Sequence, residues 1–158
     1  FNEEESLQMI EDINLCKRLG VNGVVIGALD GDGNIDVDLM RSLMVEAKPL
    51  SVTFHRAFDC CADPYKSIED VIALGCDRLL TSGLAASAYE GRGLISELVD
   101  MAGDRIIIMP GAGVRPSNIA ALSQATRALE YHGSAHSEHG TTDRKVVSQL
   151  VDDSLQLL

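Results

Sequence analysis

Basic residues are scarce in this chain: 13 lysines and arginines stand against 24 aspartates and glutamates, a formal net charge of -11. The nine arginines and four lysines are scattered along the sequence. Such a field repels phosphate backbones and anionic surfaces, so neither nucleic acid nor membrane is expected as a partner. Long hydrophobic runs are missing too. No stretch approaches the roughly 20 residues that span a bilayer, and the opening Phe-Asn-Glu-Glu-Glu has neither a basic n-region nor an apolar h-region. The expected location is a reducing cytoplasm. Cysteine is limited to Cys16, Cys60, Cys61 and Cys76, without the spacing of a disulfide framework. Cys16 and Cys76 fall on apolar positions and read as core thiols, because free cysteine packs as a small hydrophobe. Cys60 and Cys61 follow Asp59 in a loop and would need lowered pKa values to act as nucleophiles. No lysine ends a strand-like run, which disfavours Schiff-base chemistry. No linker or charge block divides the chain, and a hydrophobic content of 46% is enough for one core, so residues 1–158 are expected to form a single domain.

What is present is a repeat. Strand-like runs begin at Gly23 (GVVIGA), Ser51 (SVTFHRAFD), Arg78 (RLLTSG), Arg105 (RIIIMPGAG) and Ala128 (ALEYHGSA), 23 to 28 residues apart. Between them lie apolar stripes at helical spacing: Leu39, Met40, Leu43, Met44 and Ala47; then Ile68, Val71 and Ile72; then Leu94, Ile95, Leu98, Val99 and Ala102; then Ile119 and Leu122. Boundary signals agree. Asp36 and Asp63 suit N-caps, Pro64 and Pro116 suit the first helical position, and Gly75 and Gly103 suit the position after a helix end. One further helix opens the chain through Leu7, Ile10 and Ile13, and another closes it through Val146, Val147, Leu150 and Val151. The order is a helix followed by five βα units, which predicts a parallel sheet covered by helices.

The polar face of the strands chooses between an open sheet and a barrel. Thr53, His55, Glu130 and His132 point away from the helix layer, and a barrel interior can pair such groups. The expected fold is therefore α/β of the TIM (β/α)8 barrel type, here a partial barrel of five parallel strands and six helices, because eight units need about 200 residues. An array of five strands leaves edges at 23–28 and 128–135. The sequence is accordingly expected to continue upstream of Phe1 or to be covered by a partner, and the isolated chain is expected to associate, as a homo-oligomer.

In parallel barrels the active face lies at the C-terminal strand ends. His55, Arg56 and Asp59 fall there: His55 as an acid/base group or ligand, Arg56 as an anion clamp and Asp59 as its orienter. The competing reading makes Arg56 and Asp59 a loop ion pair, with His55 filling the interior. His132 is a second acid/base candidate, while Glu130, two residues deeper, reads as a structural partner of Arg78 or Arg105. Gly111, Ala112 and Gly113 after one strand, and Gly133 and Ser134 after the next, occupy loops that commonly build a phosphate site. Small residues there let backbone N–H groups approach an anion, with Thr81 and Ser82 as nearby hydroxyls. Tight βα turns alone would also account for the glycines.

FHRAFD at 54–59, LTSG at 80–83, PGAGV at 110–114, EYHGSA at 130–135 and VIGALDGDGNID at 25–36 resemble, in order and spacing, the CutC family of copper homeostasis proteins. The resemblance fades after Thr141 and corresponds to about the C-terminal two thirds of that family's TIM barrel, with the first three βα units absent. It implies a cytoplasmic copper-binding or copper-handling protein, with copper as the implied metal. The cysteines linked to copper in that family belong to the early strands and have no counterpart in Cys16, Cys60, Cys61 or Cys76. From the residues alone, the alternative is an enzyme acting on a small anionic or phosphorylated metabolite, with His55 and His132 as acid/base groups. The expected partner is thus a small anion or a metal ion.

Two metal-like patterns are weaker. Asp30, Asp32 and Asn34 copy the start of an EF-hand loop, but Ile35 replaces the required Gly and Arg41 stands where Glu is needed. His132, His136 and His139 lie partly beyond a strand, where nothing regular fixes their spacing.

Overall fold

The computed structural model describes residues 1–136 and 141–155. The chain forms two compact units, Phe1–Leu79 with Asp104–Ile106, and Leu80–Gly103 with Ile107–Leu158; the boundary falls inside one strand.

In the first unit α1 (Glu3–Leu19) is followed by β1 (Gly23–Ile26), α2 (Val37–Ala47), β2 (Ser51–Phe54), a 3-10 turn (Arg56–Cys60), α3 (Pro64–Ala73) and the start of β3 (Arg78–Thr81). The helices start where the sequence supplies acceptors. Asn2 and Glu5 form a reciprocal capping box on α1, Asp36 accepts from Leu39 N at 3.0 Å, and Asp63 accepts from Tyr65 N and Lys66 N at 2.9 and 3.2 Å. Each bond meets an N–H that has no partner within its helix. The strands pair in parallel, with Gly23 opposite Ser51, Ile26 opposite Phe54, and Phe54 opposite Leu79. Asp77 joins β2 to β3. Its carboxylate accepts from Val52 N (2.7 Å) and Ser51 Oγ (3.1 Å), and its own N–H donates to Val52 O. The expected helix stripes point inward: Met40, Leu43 and Ala47 of α2 and Ile68 and Val71 of α3 are buried beside Val52, Phe54, Phe58 and Leu79.

In the second unit the rest of β3 lies beside β4 (Ile107–Pro110), with α4 (Arg92–Ala102), α5 (Pro116–Thr126) and α6 (Arg144–Leu155). Ile95, Leu98 and Ala102 of α4 and Ile119, Leu122 and Thr126 of α5 form its buried face, whereas α6 buries no residue completely.

The fold class matches the expectation: parallel βα units in chain order, TIM-barrel-like, with six α-helices among the described residues. One detail differs. Among the described residues four strands form, not five. The run 128–135 keeps one strand-like hydrogen bond, from His132 N to Pro110 O at 2.9 Å, but does not extend it into a ladder. Arg105 meets Glu69 in a two-pronged pair at 2.7 Å, and Arg78 donates to Ser51 Oγ at 3.1 Å. The Glu69 pair is exposed, and its Arg105 hydrogen bonds hold the Glu69 carboxyl below its usual range. No helix of the described residues is long and apolar enough to cross a membrane.

Candidate functional site

The strand-end residues fall into one group in each unit. In the first, β2 runs directly into the 3-10 turn, and this places His55, Arg56 and Asp59 together. His55 is the residue that caps the turn: its Nδ1 accepts the Ala57 N–H at 3.1 Å, while its backbone N–H donates to Ile26 O at 3.0 Å. The ring is half-buried and meets Phe54 edge to face, at 5.9 Å between centroids. Arg56 Nε donates to Asp59 Oδ2 at 2.6 Å, with the Asp59 side chain 9% exposed and that of Arg56 45% exposed. The carboxylate is thus mostly sheltered and orients a guanidinium that reaches solvent, an arrangement suited to an oxyanion.

In the second unit Thr81 and Ser82, both fully buried, shape the loop from inside. Thr81 Oγ1 accepts from Gly83 N at 2.9 Å, and Ser82 Oγ donates to Ala85 O at 2.7 Å. Gly111 N donates to Thr81 O at 2.9 Å, and Ala112 O accepts from Ala88 N at 3.0 Å, which fixes the turn after β4. Ala112 and Gly113 both take the left-handed conformation, at φ 76° and 72°. His132, Gly133 and Ser134 are exposed. Glu130 is half-buried and, with Tyr131, Gly133, Val147 and Leu150, lines a pocket of about 450 Å³ beneath α6.

The metal-like patterns resolve differently. Asp30 spends its carboxylate on its own loop, accepting from Asp32 N and Asn34 N at 2.9 and 2.8 Å. The Asn34 N–H in particular holds the Asp30 carboxyl below its usual range. His136 bridges to Thr142 and His132 precedes it in an irregular segment, while His139 lies outside the described residues. Among the described residues no three His, Cys, Asp or Glu side chains converge.

The cysteines fit Cu(I) poorly, because Cu(I) wants thiolates at convergent positions. Cys76 is buried as expected, with Sγ 3.9 Å from Met44 Sδ, and burial pushes its thiol up to about 12. Cys61 is buried as well and its thiol is raised, burial again being the main cause. Cys60 is exposed and Cys16 half-buried. Alkylation of the native protein at pH 8 is therefore expected to modify Cys60 first and to spare Cys61 and Cys76, as read by peptide mass spectrometry; equal labelling of Cys76 would contradict the buried-thiol account. A thiol pKa raised in the folded state gives stability that is whole below the unfolded value, about 8.5, and is lost as pH rises towards about 12.

Parallel βα units in chain order, with ionisable and glycine-rich strand ends on one plan, define a protein of the TIM-barrel-like α/β class. The sequence profile of the CutC family matches residues 1–137, and the chain belongs to that family. A CutC family protein of Parabacteroides distasonis is 56% identical over 137 residues, covering 87% of this chain and 56% of that one. Another, from Chromobacterium violaceum, is 52% identical over 130 residues, covering 82% and 53%. The chain thus spans about half the length of the curated relatives it matches. The crystal structure of the putative copper homeostasis protein CutC from Streptococcus agalactiae superposes with a TM-score of 0.80 at 34% identity, over 84% of this chain and 65% of that one. A native KDPGal structure, at 17% identity and a TM-score of 0.61, shares the fold alone.

Proposed function

We propose that the protein serves copper homeostasis in the cytoplasm, the role that the name of its streptococcal relative carries, and that this part of it contributes binding groups for a small oxyanion. Gly113, Gly133 and Ser134 supply backbone and hydroxyl donors in the second unit, with Thr81 and Ser82 holding the loop and Gly111 tied to it by its N–H on Thr81 O. His55 and Arg56 supply donors in the first, with Asp59 orienting the guanidinium. The observation that carries the reading is the turn after β4. There, left-handed Ala112 and Gly113 present N–H groups that meet no partner among the described residues, and backbone donors of this kind suit an anion. Copper enters as the cargo of the whole protein, not as an ion held by thiolates of this chain.

Calorimetry with phosphate, sulfate and Cu(I) tests this on wild type, Arg56→Ala and the double variant Cys60→Ser/Cys61→Ser. Wild type is expected to bind the anions, and Arg56→Ala to weaken them about tenfold through loss of a charge-assisted bond. Tight Cu(I) binding lost only in the cysteine variant, with no anion binding by any form, would return the copper site to these residues.

A further inference from the structure

The hydrogen bond that caps the 3-10 turn also decides what His55 is able to bind. The Ala57 N–H, 3.1 Å from Nδ1, requires a lone pair on that nitrogen. A neutral imidazole with its lone pair on Nδ1 carries its proton on Nε2, so the outer nitrogen donates. A metal ion bound through Nε2 would need the opposite tautomer, and this would set an Nδ1–H against the Ala57 N–H. The ring has little room to escape that choice. A Cβ added at Gly27 would stand 2.6 Å from His55 Nδ1 and 2.8 Å from its Cε1, so the imidazole lies directly on a backbone position that only glycine leaves open. Phe54 packs against it edge to face, and its backbone N–H is tied to Ile26 O.

We infer that His55 is held by Ala57 and Gly27 as an Nε2–H donor, so that this strand end accepts an oxyanion and offers a metal ion no lone pair at Nε2. Gly27 is the positioning residue, and His55 touches the ligand. The inference rests on the oxyanion reading above and narrows it: the ligand presents an acceptor oxygen to His55, and His55 does not serve as a base at Nε2. The strand-like run GVVIGA contained the clue, since a glycine within such a run marks a close approach of another group.

Long-range proton–nitrogen NMR of the protein, with the His55 signals assigned by their loss in His55→Asn, reads the tautomer without any ligand. The expected result is a protonated Nε2 and an unprotonated Nδ1, with the Nε2 signal shifted by inorganic phosphate and unmoved by equimolar Zn(II). In His55→Asn the shorter side chain still offers an oxygen to the Ala57 N–H, asparagine being a good cap, but it no longer reaches the ligand. That variant is expected to melt with wild type and to bind phosphate about tenfold more weakly. Gly27→Ala is expected to weaken phosphate similarly and to alter the tautomer pattern. A protonated Nδ1 in the free protein, coordination of Zn(II) at His55 Nε2, or unchanged phosphate affinity in His55→Asn would each overturn the inference. Wild type that shows the Nε2–H ring and rejects Zn(II), yet binds no phosphate, upholds the donor assignment and overturns the oxyanion reading instead.

Discussion

Gly91→Ala is expected to destabilise the protein by about 3 kcal/mol or more and to lower its thermal midpoint by roughly 10 °C. The added methyl would stand 1.9 Å from the Ser82 carbonyl oxygen and 2.9 Å from Gly83 Cα. Both are backbone atoms, so no side chain can rotate aside to relieve the contact. The close approach is mutual, since a Cβ on Gly83 would lie 2.3 Å from Gly91 O, and Gly83 also needs φ 69°. Relief would have to come from moving the chain, yet Gly91 N donates to Ser87 O, Ile95 N donates to Gly91 O in the first turn of α4, and Ser82 is fully buried. Gly93 provides the internal control. Only two residues away and inside the same helix, it has nothing within 4 Å of an added Cβ, so Gly93→Ala is expected to be neutral or slightly stabilising, as alanine is in an exposed helical position. Denaturant or thermal unfolding of the two variants decides the matter. A Gly91→Ala protein that melts within two or three degrees of wild type would show that the loop yields where its contacts say it cannot.

The helices were legible in the sequence because their signals are local. A stripe such as Met40, Leu43 and Ala47 is set by helical geometry, and the acceptors Asp36 and Asp63 act on N–H groups two or three residues ahead. Strand pairing is not local in this sense. Residues 128–135 have the apolar content of a strand, but content does not supply neighbours, and beyond His132 N to Pro110 O the run builds no ladder. The strand-end groups were legible as residue types and less so as roles. Thr81 and Ser82 read as hydroxyls near the glycine loops; their burial is what the sequence did not carry, and since a buried hydroxyl must find a partner, Thr81 accepts from Gly83 N and Ser82 donates to Ala85 O. His55 is the sharper case. Histidine is not among the residues preferred as caps, and only three-dimensional proximity brings its Nδ1 to the Ala57 N–H.

Phe58→Ala is expected to cost about 3 to 5 kcal/mol, the range for emptying a buried aromatic site. Phe58 is completely buried although it belongs to a short turn that also carries Arg56 and Asp59. The turn has few bonds of its own, chiefly Phe58 N to His55 O at 3.2 Å and Cys61 N to Phe58 O at 3.0 Å. Its position therefore rests largely on the fully buried ring. Removing the ring leaves a cavity that a close-packed interior closes only in part. Phe58→Leu keeps most of the volume and is expected to cost only about 1 to 2 kcal/mol. Arg56→Ala, which breaks the partly exposed pair with Asp59, is expected to cost under about 1 kcal/mol. The three variants thus order themselves by burial and not by charge, while anion affinity falls in Arg56→Ala, where stability hardly changes. Urea unfolding gives the order directly. Should Phe58→Ala lose less than about 1 kcal/mol, the turn is held by its hydrogen bonds and not by its buried ring, and the placement of His55, Arg56 and Asp59 would owe little to the core beneath them.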